Sequence, residues 1–191
     1  MTVWFAPPPA TVRVAAHGLD FEALVPATLH ADYTAVMLDI PMLRRWSAQD
    51  WPTPTFTIEE NLVDLVRHDR EQREGIALTY SIVRDGRVIG CIYARPLVAA
   101  LSTRDTPVPQ HLPIPADDAV VRGWAHEIDA ATLIAASFEA VATALAGRAR
   151  CWWIANTDCP EQLAACDALG LMVSHSFVGP TATWVVRGMT E

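Results

Sequence analysis

An alternation of strand-like and helix-like runs in the second half of the chain constrains its fold most strongly. Residues 119–125 and 150–155 are apolar runs of the kind found in buried strands. Between them, residues 128–146 predict a helix whose apolar face is formed by Ile134, Phe138, Val141 and Leu145. Since a helix between two strands allows the chain to return to the end where the first strand began, we expect the two strands to be parallel neighbours. Such units cross over right-handedly in nearly all proteins.

The middle of the chain predicts an antiparallel hairpin. Residues 76–83 and 88–93 are rich in β-branched and aromatic side chains. The turn between them contains Asp85 and Gly86, a pair that favours the positive backbone angles of a tight hairpin turn. A hairpin together with a parallel strand pair predicts an α/β fold with a mixed sheet covered by helices.

The clearest helix is predicted over residues 57–74. Thr57 and Glu60 have the spacing of a capping box, in which each side chain satisfies a free backbone N–H of the other residue. Gly75 is suited to the position just after the helix. Weaker patterns predict a strand at 21–25, helices at 28–39, 42–47 and 158–169, the last capped by Asp158, and strands at 171–178 and 181–187.

Proline marks two irregular segments. Residues 1–20 contain Pro7, Pro8 and Pro9 and no clear periodicity, which predicts an N-terminal arm. Residues 96–118 contain five prolines and predict a long loop without helix or strand. The remaining length, 21–191, is expected to form one domain.

Charge excludes several classes of function. The formal net charge is −8, and no basic stripe is present, so we expect no nucleic-acid binding. All fourteen basic residues are arginine. The absence of lysine excludes a P-loop lysine, a Schiff-base lysine and a lysine general base.

The cysteines and the hydropathy pattern indicate a cytoplasmic protein. Cys91, Cys151, Cys159 and Cys166 form no C-x-x-C pair and have no zinc-finger spacing to histidine, so we expect free thiols and no metal site. The N-terminus has no pattern of a secretory signal, and no stretch approaches the roughly 20 apolar residues of a membrane span.

Residues 21–187 resemble the GNAT superfamily of acyl-CoA-dependent N-acyltransferases in the order of their predicted elements. The most specific stretch is 154–171, where Asn156 matches an asparagine that ends a strand and Gly170 a glycine that closes the next helix. Cys166 stands where the family often has tyrosine. The resemblance implies a mixed central sheet of six to seven strands flanked by helices.

The resemblance also implies that acetyl-CoA is the co-substrate. In the family, the pantetheine arm lies in a cleft where two parallel strands splay apart, here 119–125 and 150–155. The residues implied to bind it are Val121, Arg122, Gly123, Trp124 and Asn156. Gly123 is either a bulge that opens the cleft or a glycine that permits close packing on Trp152 or Trp153.

The largest departure from the family lies where the CoA pyrophosphate would bind. The family holds it with backbone N–H groups of a glycine-rich turn that opens a helix. Residues 122–134 contain only Gly123, and Glu127 and Asp129 place carboxylates where a polyanion would bind.

Three residues are candidates for catalysis. Glu127 or His126 could take the proton of an attacking amine, and Cys166 could donate a proton to the departing CoA thiolate, as the family's tyrosine is thought to do. Glu127 could instead complement the dipole of the following helix, and Cys166 could be a small buried hydrophobe.

The acceptor pocket of the family is shaped by the half of the chain that contains Trp46, Trp51 and Tyr80. Aromatic side chains that also carry a polar N–H or O–H group suit such a pocket, although Tyr80 also suits an ordinary core.

Two candidate functions follow from the sequence. One is transfer of an acetyl group from acetyl-CoA to an amine of a small molecule or peptide. The other is a catalytically inactive GNAT-like domain that binds a ligand or partner, and a homodimer is compatible with both.

Overall fold

One mixed sheet organises the part of the chain that the computed structural model describes, residues 4–111 and 113–189. Within it, eight strands lie in the spatial order β1-β2-β3-β4-β5-β6-β8-β7. Of the described strand pairs, β5 and β6 are parallel and all others antiparallel. The strands are β1 (Thr11–Val14), β2 (Leu19–Ala23), β3 (Leu78–Arg84), β4 (Arg87–Arg95), β5 (Ala119–Ala125), β6 (Cys151–Asn156), β7 (Met172–Val178) and β8 (Thr183–Gly188).

Helices cover both faces of the sheet. On one face α5 packs against α6, and Val121 of β5 belongs to their apolar core. On the other face α1 packs against α3, and Trp124 of β5 belongs to that second core. No helix of the described chain is long and apolar enough to cross a membrane. The helices are α1 (Leu29–Leu38), α2 (Ile40–Ser47), α3 (Ile58–Arg73), α4 (Leu97–Ser102), α5 (Ala130–Ala144) and α6 (Pro160–Ala168).

The predicted hairpin and the predicted parallel pair are both confirmed. Strands β3 and β4 are antiparallel, and the turn residues Asp85 and Gly86 have φ angles of 51° and 72°. Strands β5 and β6 pair in parallel from Ala119 with Cys151 to Val121 with Trp153. The α/β class is therefore confirmed, with eight strands instead of the six to seven expected.

The capping box of α3 is confirmed in both directions. The Thr57 hydroxyl accepts a hydrogen bond from the Glu60 N–H at 3.2 Å, and the Thr57 N–H donates to the Glu60 carboxylate at 2.8 Å. The helix predicted over 128–146 begins at Ala130, because Asp129 caps it by accepting from the Thr132 N–H at 2.8 Å.

Three local predictions differ from the structure. The predicted arm contains β1, in which Val12 and Val14 alternate with exposed residues and point into the core once β2 pairs with it. The predicted loop contains α4, because Pro96 occupies the N-cap position and the next proline is Pro107. Helix α6 is preceded by Cys159, with no side-chain cap, instead of being capped by Asp158.

A few residues of the predicted segments are not among those that the structure describes. Residues 1–3 of the predicted arm, residue 112 of the predicted loop and residues 190–191 of the predicted domain lie outside the described residues.

We expect Thr57→Ala to lower the free energy of unfolding by about 1 kcal/mol, because it leaves an N-terminal N–H of α3 without its side-chain acceptor. Urea denaturation followed by circular dichroism measures this. Thr55→Ala, at an exposed position just before the cap, is the matched control and should change stability little. Equal losses in the two variants would contradict the capping role.

Candidate functional site

The parallel strands separate halfway along their length. Beyond Val121 and Trp153 no further β5–β6 pair forms. Strand β5 continues along β4 as far as Ala125, while β6 continues along β8 as far as Asn156. The carboxyl ends of β5 and β6 are therefore separated at the place where the GNAT resemblance implies a cleft.

One side chain bridges this cleft. Gln162, in the first turn of α6, donates from Nε2 to the Gly123 carbonyl at 3.0 Å and accepts at Oε1 from the Trp153 indole N–H at 3.2 Å. Gln162 and Trp153 are both buried. Because the Gly123 carbonyl belongs to the separated part of β5, the amide of Gln162 occupies a hydrogen-bonding position that β6 leaves vacant.

Gly123 is a close-packing residue in this structure. It pairs regularly with Ile92 of β4, with no register shift along the strand. A Cβ atom at Gly123 would come within 2.9 Å of Cγ2 of Ile92 and within 3.4 Å of Cη2 of Trp153. The close approach is therefore to Ile92 of β4, while the distance to Trp153 is that of an ordinary contact, and the role of Gly123 in a cofactor cleft stays a prediction.

Asn156 ties β6 to the end of α2. Its amide nitrogen donates to the carbonyls of Arg45 and Trp46 at 2.8 and 3.0 Å, and its amide oxygen accepts from the Asp158 N–H at 2.8 Å. Both polar atoms of this buried side chain therefore have protein partners.

The residues implied to bind the cofactor divide between the two faces of the sheet. Val121 belongs to the core under α5, and the packing of Gly123 lies on the same side. Trp124 belongs to the core under α1 and α3. Arg122 lies on that second face, where its Nη2 donates to the Trp46 carbonyl at 2.7 Å.

His126 and Glu127 lie against the β3–β4 turn and α1. His126 Nε2 is 3.0 Å from the Ala35 carbonyl, which can only accept, so Nε2 carries a proton. The Glu127 carboxylate receives two hydrogen bonds from Arg87, at 2.9 and 3.2 Å. The role of either residue as a base stays a prediction.

Cys166 is completely buried in the core beneath α6. Burial raises the pKa of its thiol to about 11, which keeps it protonated. All four cysteines are free thiols. The role of Cys166 as a proton donor stays a prediction, and its burial favours the packing alternative.

A cavity of about 300 Å³ opens on the α2–α3 face. We call it the arginine cavity, because four arginines line it: Arg67, Arg95, Arg104 and Arg122. Trp46 and Trp51, two of the aromatic residues singled out from the sequence, line it as well, together with Tyr93. Tyr80 is a core residue whose hydroxyl donates to the Pro9 carbonyl at 2.7 Å. The sequence pointed to Arg122 as a cofactor-binding candidate but did not predict this cluster, because the four arginines come from separate elements.

Two buried titratable groups lie beside this cavity. Burial raises the pKa of Asp32 to about 6, against the opposing effect of a hydrogen bond from Asn61 at 2.8 Å. Burial lowers the pKa of His68 to about 3, assisted by the charges of Arg67 and Arg95. His68 is therefore neutral at pH 7. In the described residues no three His, Cys, Asp or Glu side chains are grouped as a metal site.

Comparison with known proteins identifies the fold. The sequence matches no protein-family model and no curated protein. The structure is similar to RimL, a ribosomal L7/L12 α-N-protein acetyltransferase, with a TM-score of 0.68 and 15% identity over 95% of this chain and 94% of that one. It is also similar to the microcin C7 self-immunity acetyltransferase MccE in complex with acetyl-CoA and AMP, with a TM-score of 0.68 and 9% identity over 95% and 96%. RimJ of Mycobacterium smegmatis, in complex with CoA-disulfide, has a TM-score of 0.63 and 14% identity over 93% and 84%.

The chain has the GNAT fold. In this GNAT fold only residues 126–129 connect β5 to α5. The N-terminus of α5, where the sequence resemblance implies a pyrophosphate, is already occupied by the Asp129 carboxylate, which accepts from both the N–H and the hydroxyl of Thr132 at 2.8 Å. Glu127 adopts a φ of 62° in this short connection.

We expect the buried carboxyl of Asp32 to make stability depend on pH. Its folded-state pKa of about 6 lies above the ordinary value of 3.8, so the stability contributed by the protonated acid is fully present below pH 3.8 and is lost as the pH rises through about 6. Relative to Asp32→Asn, the native protein should lose up to about 3 kcal/mol of unfolding free energy over that window.

Urea denaturation at a series of pH values measures the loss. Asp50→Asn, which removes a carboxylate with an exposed side chain, is the control and should keep the native pH dependence. An Asp32→Asn variant with the same pH dependence as the native protein would show that Asp32 is not the titrating group.

Proposed function

We propose that this chain is a GNAT-fold ligand-binding domain that does not transfer acetyl groups through the cleft between β5 and β6. The observation that carries the proposal is the Gln162 bridge from Gly123 to Trp153. A pantetheine arm added alongside β5 would compete for the Gly123 carbonyl, which Gln162 already occupies.

The surroundings of the cleft support the same proposal. Asn156 uses both amide hydrogens on carbonyls of α2 and one acceptor position on the Asp158 N–H, so its side chain has no donor left for a cofactor carbonyl. The N-terminus of α5 is capped by Asp129, and the negative charge of Asp129 opposes the binding of a pyrophosphate there, whereas the charge of Glu127 is offset by Arg87.

A second candidate function is N-acetyl transfer from acetyl-CoA to an amine of a small molecule or peptide. The separation of β5 from β6 favours it, since this is the feature in which the GNAT resemblance places a pantetheine arm. The similar structures of MccE and RimJ contain acetyl-CoA or a CoA disulfide. For this chain to act likewise, Gln162 would have to leave the Gly123 carbonyl and a base would have to reach the acceptor amine.

Addition of acetyl-CoA to about 1 mM tests the proposal. We expect no rise in the melting temperature of the native protein, whereas a ligand at 100 times its Kd would add about 2.7 kcal/mol of stability. Release of CoA thiol with a panel of amines and peptides should stay at the level without protein. A rise in melting temperature together with thiol release would overturn the proposal in favour of the second candidate.

The variant Gln162→Ala tests whether the Gln162 side chain is what prevents acetyl-CoA from binding between β5 and β6. Stabilisation of this variant, but not of the native protein, by acetyl-CoA would show that a groove exists beneath the Gln162 side chain. Gln110→Ala, at an exposed loop position, is the matched control and should respond like the native protein. Thiol release by the Gln110→Ala control would speak against the proposal in the same way as release by the native protein.

A further inference from the structure

The arginine cavity concentrates positive charge in a protein whose formal net charge is −8. We propose that it binds a small organic anion, with a carboxylate or phosphate group at the guanidinium groups and an apolar part against the aromatic side chains. This inference rests on the proposed function, because it names the ligand class of the binding domain.

Two of the four arginines have carboxylate partners. Arg67 pairs with Asp64 at 2.9 Å, and Arg95 pairs with Glu71 at 3.3 Å. Among the ion pairs of the described residues, neither Arg104 nor Arg122 takes part. The cavity thus contains two guanidinium groups without a counter-charge from the described protein.

Of these two arginines, Arg104 is buried and Arg122 is half-buried. Arg104 is 7% exposed, and the Nε atoms of both Arg104 and Arg122 are buried without a hydrogen-bond acceptor. Burial lowers the pKa of Arg104 to about 9 and holds that of Arg122 well below its ordinary value. Arg104 donates from Nη1 to the Ala100 carbonyl and to the Thr103 hydroxyl, and neither of these partners is charged. A buried cation without a counter-charge is costly, and a bound anion would offset that cost.

Aromatic rings hold both guanidinium groups in place. The Arg104 guanidinium lies 4.6 Å from the ring centre of Trp184, and the Arg122 guanidinium lies 3.6 Å from that of Trp46 and 5.1 Å from that of Trp184. Arg122 makes one hydrogen bond, from Nη2 to the Trp46 carbonyl, so other donors of this fork remain for a ligand. A donor set fixed before binding loses little freedom when the anion arrives.

The remaining lining determines the apolar part of the ligand. Trp46, Trp51 and Tyr93 line the same cavity, whose volume of about 300 Å³ lies at the small end of ligand sites. Asp64 and the neutral His68 also line it. A single-ring aromatic acid matches this combination of size, charge and aromatic surface.

Benzoate and phenyl phosphate are the probes, and they distinguish a carboxylate from a phosphate ligand. Benzyl alcohol and benzylamine have the same ring without charge or with positive charge, and inorganic phosphate lacks the ring. Tryptophan fluorescence and calorimetry at low salt measure binding. We expect at least one aromatic anion to bind, and to bind about tenfold or more tightly than benzyl alcohol, benzylamine or inorganic phosphate.

Arg104→Gln should weaken that binding by about tenfold or more, because it removes a charged donor. Arg13→Gln, which removes an arginine with an exposed side chain on β1, is the control and should bind like the native protein. If circular dichroism shows that Arg104→Gln is unfolded, Arg122→Lys keeps the charge but not the planar fork, and the same loss is expected of it.

The inference is overturned if neither aromatic anion binds the folded native protein at about 10 mM, a weak affinity for any specific site. It is also overturned if benzyl alcohol binds as tightly, or if the folded Arg104 or Arg122 variant binds like the Arg13 control. These outcomes are independent of the acetyl-CoA test. If the protein binds an aromatic anion and also turns over acetyl-CoA, the proposed function alone is contradicted. If it neither binds an aromatic anion nor turns over acetyl-CoA, this inference alone is contradicted.

Discussion

Separation of two parallel strands is the constraint on which the rest of this structure depends. Where β5 and β6 part beyond Val121 and Trp153, backbone polar groups lose their ladder partners and must find others, because an unpaired buried carbonyl is costly. Gln162 satisfies the Gly123 carbonyl from one face of the sheet. On the other face, Asn156 and Arg122 donate hydrogen bonds to backbone carbonyls at the end of α2 and so fix its position. The feature that resembles a cofactor cleft therefore also organises the packing of α2 and α6.

The anchoring of α2 has consequences for the arginine cavity. The Trp46 carbonyl accepts from Arg122, and the Trp46 ring lies against the same guanidinium, so the end of α2 and the arginine fix each other. On the opposite side Trp184 contacts both Arg104 and Arg122. Aromatic rings thus contact both guanidinium groups that line this cavity. The proposed anion site therefore does not require a cofactor between β5 and β6.

Local patterns along the chain were sufficient where neighbouring residues decide the structure. The hairpin turn at Asp85 and Gly86, the capping box of Thr57 and the apolar runs of β5 and β6 each act within a few residues, and all were predictable. Strand β1 was missed because its four residues become a strand only when β2 pairs with them. The arginine cavity was missed for a related reason. Its four arginines come from β4, β5, α3 and the turn after α4, and nothing in their spacing indicates that they meet.

The sequence by itself determined the α/β class, the order of most elements, the parallel pair and the departure from a glycine-rich turn between β5 and α5. Periodicity, turn chemistry and capping are short-range effects, so these features can be derived from the chain without coordinates. Tertiary structure alone decided how the candidate residues are used. It directed Gln162 into the cleft, paired Glu127 with Arg87 and left Arg104 and Arg122 without a counter-charge, because the bonds open to a buried polar group depend on neighbours that folding brings from distant parts of the chain.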